Sequence, residues 1–386
     1  MNTKPPVLLS YAFRPFFLLN GLFAMGAIFV WILALHGLGP DVSTSLWHSH
    51  EMLIGFAMAA VAGFSLTAVA NWTGRPALQG RPLAALVLCW LSGRLAMLFS
   101  GWLPANLVFL LDMLFPVLLT AFLGREIVAG RSRRNYPLIV IIAAISAINA
   151  IYHLGTQQLL PAAYDRLAIY LLIHTVLLLV TIIAGRIVPS FTGNWLRMHG
   201  ETRLPVNSDV VNKSALLLTI LVGLCASFFP MSPLTGGLAF AAAFFHGFRL
   251  ARWKGMATTS NPLLFVLHAA YIWLPVGYIL LACSVFGWLF PPTAALHALT
   301  MGAIGSIVLA VTTRVALGHT GRPLHAARLT VLAYWVLMIA VLLRILGPLG
   351  TSNYMLIIDL SAFGWILAFG LFSWVYWPIL SRAKIN

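Results

Sequence analysis

Charge is what this sequence has least of. Asp, Glu, Lys and Arg make up 8% of its 386 residues, where a soluble domain carries about a quarter. Acids are scarcer still, eight against 23 basic residues. The three cysteines, Cys89, Cys225 and Cys283, lie in separate apolar segments with no C-x-x-C pair. That pattern excludes a disulfide framework and a zinc ribbon. The alternating strands of a membrane barrel are missing as well. Met1 to Ser10 is polar and proline-rich, and the first apolar run begins near Phe16. This predicts no cleavable leader.

What is present is hydrocarbon. Hydrophobic residues reach 61% and the mean hydropathy is +0.95. Apolar runs of about 20 residues match the length of a helical membrane span. Only helices or closed barrels satisfy their backbone in lipid. The fold class is therefore an all-α polytopic membrane protein with about twelve transmembrane helices. They fall near 16–38, 48–70, 82–100, 103–124, 136–154, 164–188, 211–229, 232–252, 260–281, 293–316, 326–347 and 354–378. Connections are short and punctuated by Pro, Gly and Asn, so the chain reads as one integral membrane domain, 1–386. Alternate connections collect 20 of the 23 Lys and Arg residues on one face, leaving Arg94, Arg166 and Arg344 on the other. This positive-inside asymmetry predicts cytoplasmic N- and C-termini. Topology and anionic lipid account for the net charge of +15, so a nucleic-acid partner is not needed.

The most distinctive stretch is Trp47-His48-Ser49-His50-Glu51-Met52, at the head of a span that ends in Thr73-Gly74-Arg75-Pro76. A second span repeats the plan, from His297-Ala298-Leu299-Thr300-Met301-Gly302 to His319-Thr320-Gly321-Arg322-Pro323. The pairs His50 and His297, Gly55 and Gly302, Thr73 and Thr320, and Asp112 and Asp359 are all separated by 247 residues. Arg186 with Thr192-Gly193 repeats the spacing of Arg314 with Thr320-Gly321, which adds span 6 as a weaker third member. The expectation is three four-helix units, roughly 16–124, 136–252 and 260–378, about a pseudo-threefold axis.

Ionisable groups within spans are costly and point to function. His50 and His297, at one depth of the repeat, are candidate metal or haem ligands. His48 lies about 200° from His50 around a helix, so the two share a metal only if the start of span 2 is unwound. His174, His268 and His319 are further candidate metal ligands, each equally readable as a packed core histidine. Glu51 either orients an imidazole or stabilises the positive end of a helix. Arg94 and Arg344 either meet haem propionates or pair with Asp112 and Asp359. His153 reads more readily as structural.

The pieces Phe13-Arg14-Pro15-Phe16-Phe17, Trp47 to Met52, Gly63-Phe64-Ser65-Leu66-Thr67, Asn71-Trp72-Thr73-Gly74, His297 to Gly305 and Leu317 to Arg322 together resemble the NnrS family. These are haem- and copper-containing membrane proteins of the bacterial nitric-oxide response. The resemblance implies haem b, copper and a role against nitrosative stress. A looser likeness links the chain to haem–copper oxidases, with twelve helices in three sets and ligands on spans 2, 6 and 10. Their H-x-H pair belongs to span 10, however, while here it sits on span 2. Their H-x-x-x-Y element is missing, because Leu178 follows His174 at that spacing.

The expected function is thus a haem and copper protein that binds or reduces nitric oxide, with quinol or another electron donor. His50 and His297 are then axial haem ligands, His48 and His174 the holders of a second metal, and Glu51 a catalytic proton relay. The alternatives are a quinol-linked membrane cytochrome and a secondary transporter. Inverted halves with paired broken helices, which a transporter commonly shows, are not evident.

Overall fold

A computed structural model describes residues 5–40, 42, 44–161, 163–350 and 353–385. Among them twelve helices are long and apolar enough to cross a membrane. They are α1 (Phe13–Leu35), α2 (Ser45–Thr73), α3 (Arg81–Leu98), α4 (Ala105–Ala129), α5 (Arg133–Thr156) and α6 (Tyr164–Met198), followed by α7 (Asp209–Phe228), α8 (Pro233–Ala251), α9 (Pro262–Val285), α10 (Pro292–His319), α11 (Arg328–Leu349) and α12 (Tyr354–Ser381). The described residues contain no strand.

Local chemistry sets several of the helix ends. Pro82, Pro137, Pro233, Pro262 and Pro292 stand in first turns, where the missing N–H is no loss and φ is already set. Thr44 starts α2, its hydroxyl accepting the Trp47 N–H at 3.2 Å. Gly74 ends α2 in the left-handed conformation, φ 68°, which a glycine enters without strain.

Two compact units divide the chain. The first holds Met1–Leu172, Arg314–Pro323 and Phe369–Asn386, the second Ile173–Thr313 and Leu324–Ala368. Helices α2 and α10 are the most enclosed, 78% of each apolar stretch being buried against 33% for α4, α7 and α12. The spans that carry the His50 and His297 motifs are therefore interior, while the outer helices present Leu110, Val140, Phe244 and Trp374 outward, as lipid requires.

Both enclosed helices break their regularity in the same way. In α2, an α-helical turn at Ser45–His50 passes into a π-helix at Glu51–Ala57. In α10, Pro292–His297 passes into a π-helix at Ala298–Gly305. Both segment starts keep the 247-residue offset. α6 runs as one α-helix from Tyr164 to Met198 without such a segment. A π turn loosens the carbonyl ladder and lets side chains reach it. In α2 the Trp90 indole N–H donates to the Gly55 carbonyl at 3.1 Å and Asn20 Nδ2 to the Phe56 carbonyl at 2.6 Å. Gly55 makes room first for the Phe23 ring, which a Cβ there would strike, and then for the Arg94 stem, whose Cδ it would meet at 3.1 Å.

The basic end of the first unit is tied by the chain termini of its helices. Buried Arg14 donates through Nη1 to the carbonyls of Leu380 and Arg382, both at 2.7 Å. Nearby, the Phe13 N–H donates to Thr67 Oγ1 at 3.1 Å. Replacing Arg14 by Ala leaves two carbonyls without their charged donor. A loss of about 2–3 kcal/mol is expected, read as a lower melting temperature in detergent, with Arg14→Lys recovering part of it. An unchanged melting temperature would show that the clasp is idle.

Candidate metal centre

Four helices of the first unit bring polar groups together at one end of the bundle. α2 contributes His50, its last α-helical residue, and Glu51, the first of the π turn. α3 contributes Arg94, α4 Asp112, and α5 Asn149 and His153. The i, i+4 spacing of the α5 pair puts both on one helix face. All six are interior: His50, Asp112 and Asn149 are 0% exposed and Arg94, the most exposed, only 5%.

The geometry is a closed network. Arg94 bridges the two carboxylates, Nη1 donating to Glu51 Oε1 and Nη2 to Asp112 Oδ1. His50 Nδ1 donates to Glu51 Oε1 at 2.9 Å. Asn149 Nδ2 donates to Asp112 Oδ2 at 2.7 Å, which turns its Oδ1 to His50 Nε2 at 2.9 Å. His50 Nε2 is also 3.3 Å from Asp112 Oδ2, and His153 Nε2 donates to that same oxygen at 2.8 Å. Tyr152 stacks on the His50 ring, centroids 4.5 Å apart.

Both ring nitrogens of His50 face oxygen acceptors, so in this arrangement the imidazole carries both protons. Two cations, Arg94 and His50, then balance two anions, Glu51 and Asp112. A buried charge is tolerated in a low-dielectric interior only when paired and hydrogen-bonded in this manner. Two polar atoms are left over: Glu51 Oε2 and Arg94 Nε are buried and make no hydrogen bond among the described residues.

The ring nitrogens of His50 and His153 and the Asp112 carboxylate lie within 4.8 Å of one another and form a candidate metal-binding group. By sequence Asp112 stands out as a repeat landmark and a partner for Arg94 and not as a ligand, His153 leans structural, and Asn149 does not figure. The signal that could have found them is scarcity. Asp112 is one of very few carboxylates within spans, and Asn149 and His153 form a polar pair on one face of an otherwise apolar helix.

The remaining candidate residues lie elsewhere. The helix is not unwound at His48, whose ring faces α1 and stacks on Trp31 at 4.2 Å. His319 packs against Phe13, centroids 5.5 Å apart, and Phe13 contacts Thr67, at the far end of α2 from His50. In the second unit, buried His268 meets Thr192 Oγ1 through Nε2 at 2.9 Å. Thr192 is eighteen residues from His174 on α6, about 27 Å along a helix, so these two histidines occupy different depths. His174 is buried, with no partner for Nδ1. His297 is half-buried and donates from Nδ1 to the Thr293 carbonyl at 2.7 Å. Arg344 donates to the Tyr354 hydroxyl at 3.1 Å.

The network predicts strong coupling between its charges. Arg94→Leu alone strands two buried carboxylates and should cost about 3–5 kcal/mol. Adding Glu51→Gln and Asp112→Asn should return most of that loss, measured by thermal unfolding in detergent. Three independent, additive losses would contradict the network.

Compared with known proteins, residues 7–384 match the sequence model of a family described as NnrS protein. No curated protein matches the chain.

Proposed function

The chain belongs to the NnrS family, and on that premise we propose that it is a metalloprotein of the nitric-oxide response in the bacterial inner membrane, with copper held by His50, Asp112 and His153. The observation that carries this reading is the convergence of two imidazole nitrogens on one buried carboxylate oxygen, at 3.3 and 2.8 Å. Ligands around a tetrahedral ion with bonds of about 2.0–2.1 Å are separated by about 3.3 Å. With the Nε2 protons of His50 and His153 displaced by the ion, the two nitrogen–oxygen separations stand near that spacing. Two imidazoles and a carboxylate suit copper and other borderline divalent ions. The Glu51 bond to His50 Nδ1 supports the fit, because carboxylates commonly orient ligating histidines in this way.

In this reading His50 and Arg94 serve the copper site, not the haem. For haem b, which the family resemblance implies, His297 is the better supported ligand. Its Nδ1–H is committed to the Thr293 carbonyl, which leaves the lone pair on Nε2, the tautomer that ligates iron. The common π-helical offset in α2 and α10 supports related four-helix units at 16–124 and 260–378, with 136–252 as the third. Both termini are assigned to the cytoplasm, which sets the His50 cluster near the opposite face, away from the basic end marked by Arg75, Arg125 and Arg131.

Reduced copper and haem, when bound, offer nitric oxide an open coordination position and electrons. The residues around them do the rest. Arg94 fixes both carboxylates, Asn149 aligns Asp112 with His50, and Glu51 Oε2 is an acceptor poised to hold a proton. Reduction of two nitric oxide molecules to nitrous oxide and water consumes two electrons and two protons, and Glu51 is the carboxylate placed to pass them. Quinol or another donor supplies the electrons.

Metal analysis of purified protein tests the assignment. His50→Ala and His153→Ala should each lose the bound copper while keeping haem absorbance, and Glu51→Gln should weaken copper binding by about 10–100-fold. Nitric oxide consumption by reduced protein should fall with the copper. Full copper in both histidine variants would remove this site from consideration.

A further inference from the structure

The second unit contains a buried cation that the metal reading does not use. Arg249, near the end of α8, is 6% exposed, close to the 5% of Arg94. Arg94 meets two carboxylates. Arg249 meets none among the described residues. Its Nε donates to Asn212 Oδ1 at 2.8 Å, and its Nη1 to the Thr181 carbonyl at 3.1 Å and the Tyr271 hydroxyl at 3.0 Å. These are neutral acceptors, and they occupy three of the five guanidinium N–H groups.

The two hydrogens of Nη2 make no hydrogen bond to the described residues. Nη2 lies against Gly185, where a Cβ would collide with it, so the glycine is what makes room for the guanidinium. The neighbouring hydroxyls and imidazole are engaged with one another. The Tyr271 hydroxyl donates to His246 Nδ1 at 2.7 Å, and His246 Nε2 donates to Thr219 Oγ1 at 3.0 Å. Thr219 in turn donates to the Ala215 carbonyl at 2.8 Å.

Further donors pack against the same group. The Trp253 ring lies 5.2 Å beneath the Arg249 guanidinium and 4.6 Å from the Tyr271 ring. Trp253 is fully buried, and its indole N–H has no partner. Tyr278, 5.5 Å from the His246 ring, is also fully buried. The cluster is rich in donors and a positive charge and lacks a counter-charge. Cations buried within spans commonly pair with an anion. Exposed Lys213 and Lys254, close by in sequence to Asn212 and Trp253, would concentrate anions outside it.

We propose that Arg249, seated over Gly185, binds a carboxylate or similar monovalent oxyanion in the second unit. The ligand is either a small free anion or the carboxylate of a bound prosthetic group, such as a haem-type macrocycle. The proposal is independent of the copper site, which lies wholly in the first unit.

Sodium acetate titrated into the purified full-length protein tests it, with melting temperature and optical spectrum as readouts. A free-anion site predicts a saturable rise of about 5 °C in the wild type. Arg249→Gln and Gly185→Ala should abolish that rise while keeping any non-saturable salt effect. A prosthetic carboxylate predicts instead no acetate response in the wild type, and pigment transfer to apomyoglobin at least tenfold faster in both variants. Gly185→Ala keeps the charge and serves if Arg249→Gln does not fold. Neither an acetate response nor faster pigment loss would overturn the proposal.

Discussion

The ion bridge from Arg94 to Glu51 and Asp112 is the interaction on which the first unit depends. A guanidinium and two carboxylates buried among apolar helices are each unaffordable alone. Linked to one another and to His50, they become a neutral, hydrogen-bonded core that joins α2, α3 and α4. Asn149 and His153 extend the core to α5 through Asp112. The same charges that fix the helices thus assemble a donor set fit for a metal, so the requirement for burial and the requirement for chemistry are met by the same residues.

The backbone of α2 is shaped to this core. The π turn begins at Glu51, immediately after His50, and the widened helix offers the Gly55 and Phe56 carbonyls to Trp90 and Asn20. Gly55 leaves room for the Phe23 ring and the Arg94 stem against the helix. The second unit repeats the π turn after His297 yet solves its buried charge differently. Arg249 is held by amide, hydroxyl and backbone acceptors over a glycine notch, with no carboxylate. One unit closes its charge internally, and the other leaves a guanidinium open to an anion.

The membrane fold was legible because hydrophobic length is a strong one-dimensional signal. All twelve helices fall where apolar runs occur, and the 247-residue offset read from His50, Gly55 and Thr73 reappears as matched π segments. The site was legible only in part. His50, Glu51 and Arg94 stood out as costly residues in or beside apolar spans. Asn149 and His153 did not, since their meaning comes from Asp112 on another helix, and no spacing rule connects residues on separate spans. The weighing of His48 with His50 depended on an unwound helix start. The backbone stays helical there, so His48 turns to Trp31 while His50 turns inward.

X-ray absorption at the copper edge of the purified protein tests the central claim most directly. The account predicts a shell of nitrogen and oxygen atoms at about 2.0–2.1 Å with imidazole scattering, lost when His50 and His153 are both replaced by alanine. A sulfur shell near 2.3 Å, or a spectrum unchanged in the double variant, would contradict it.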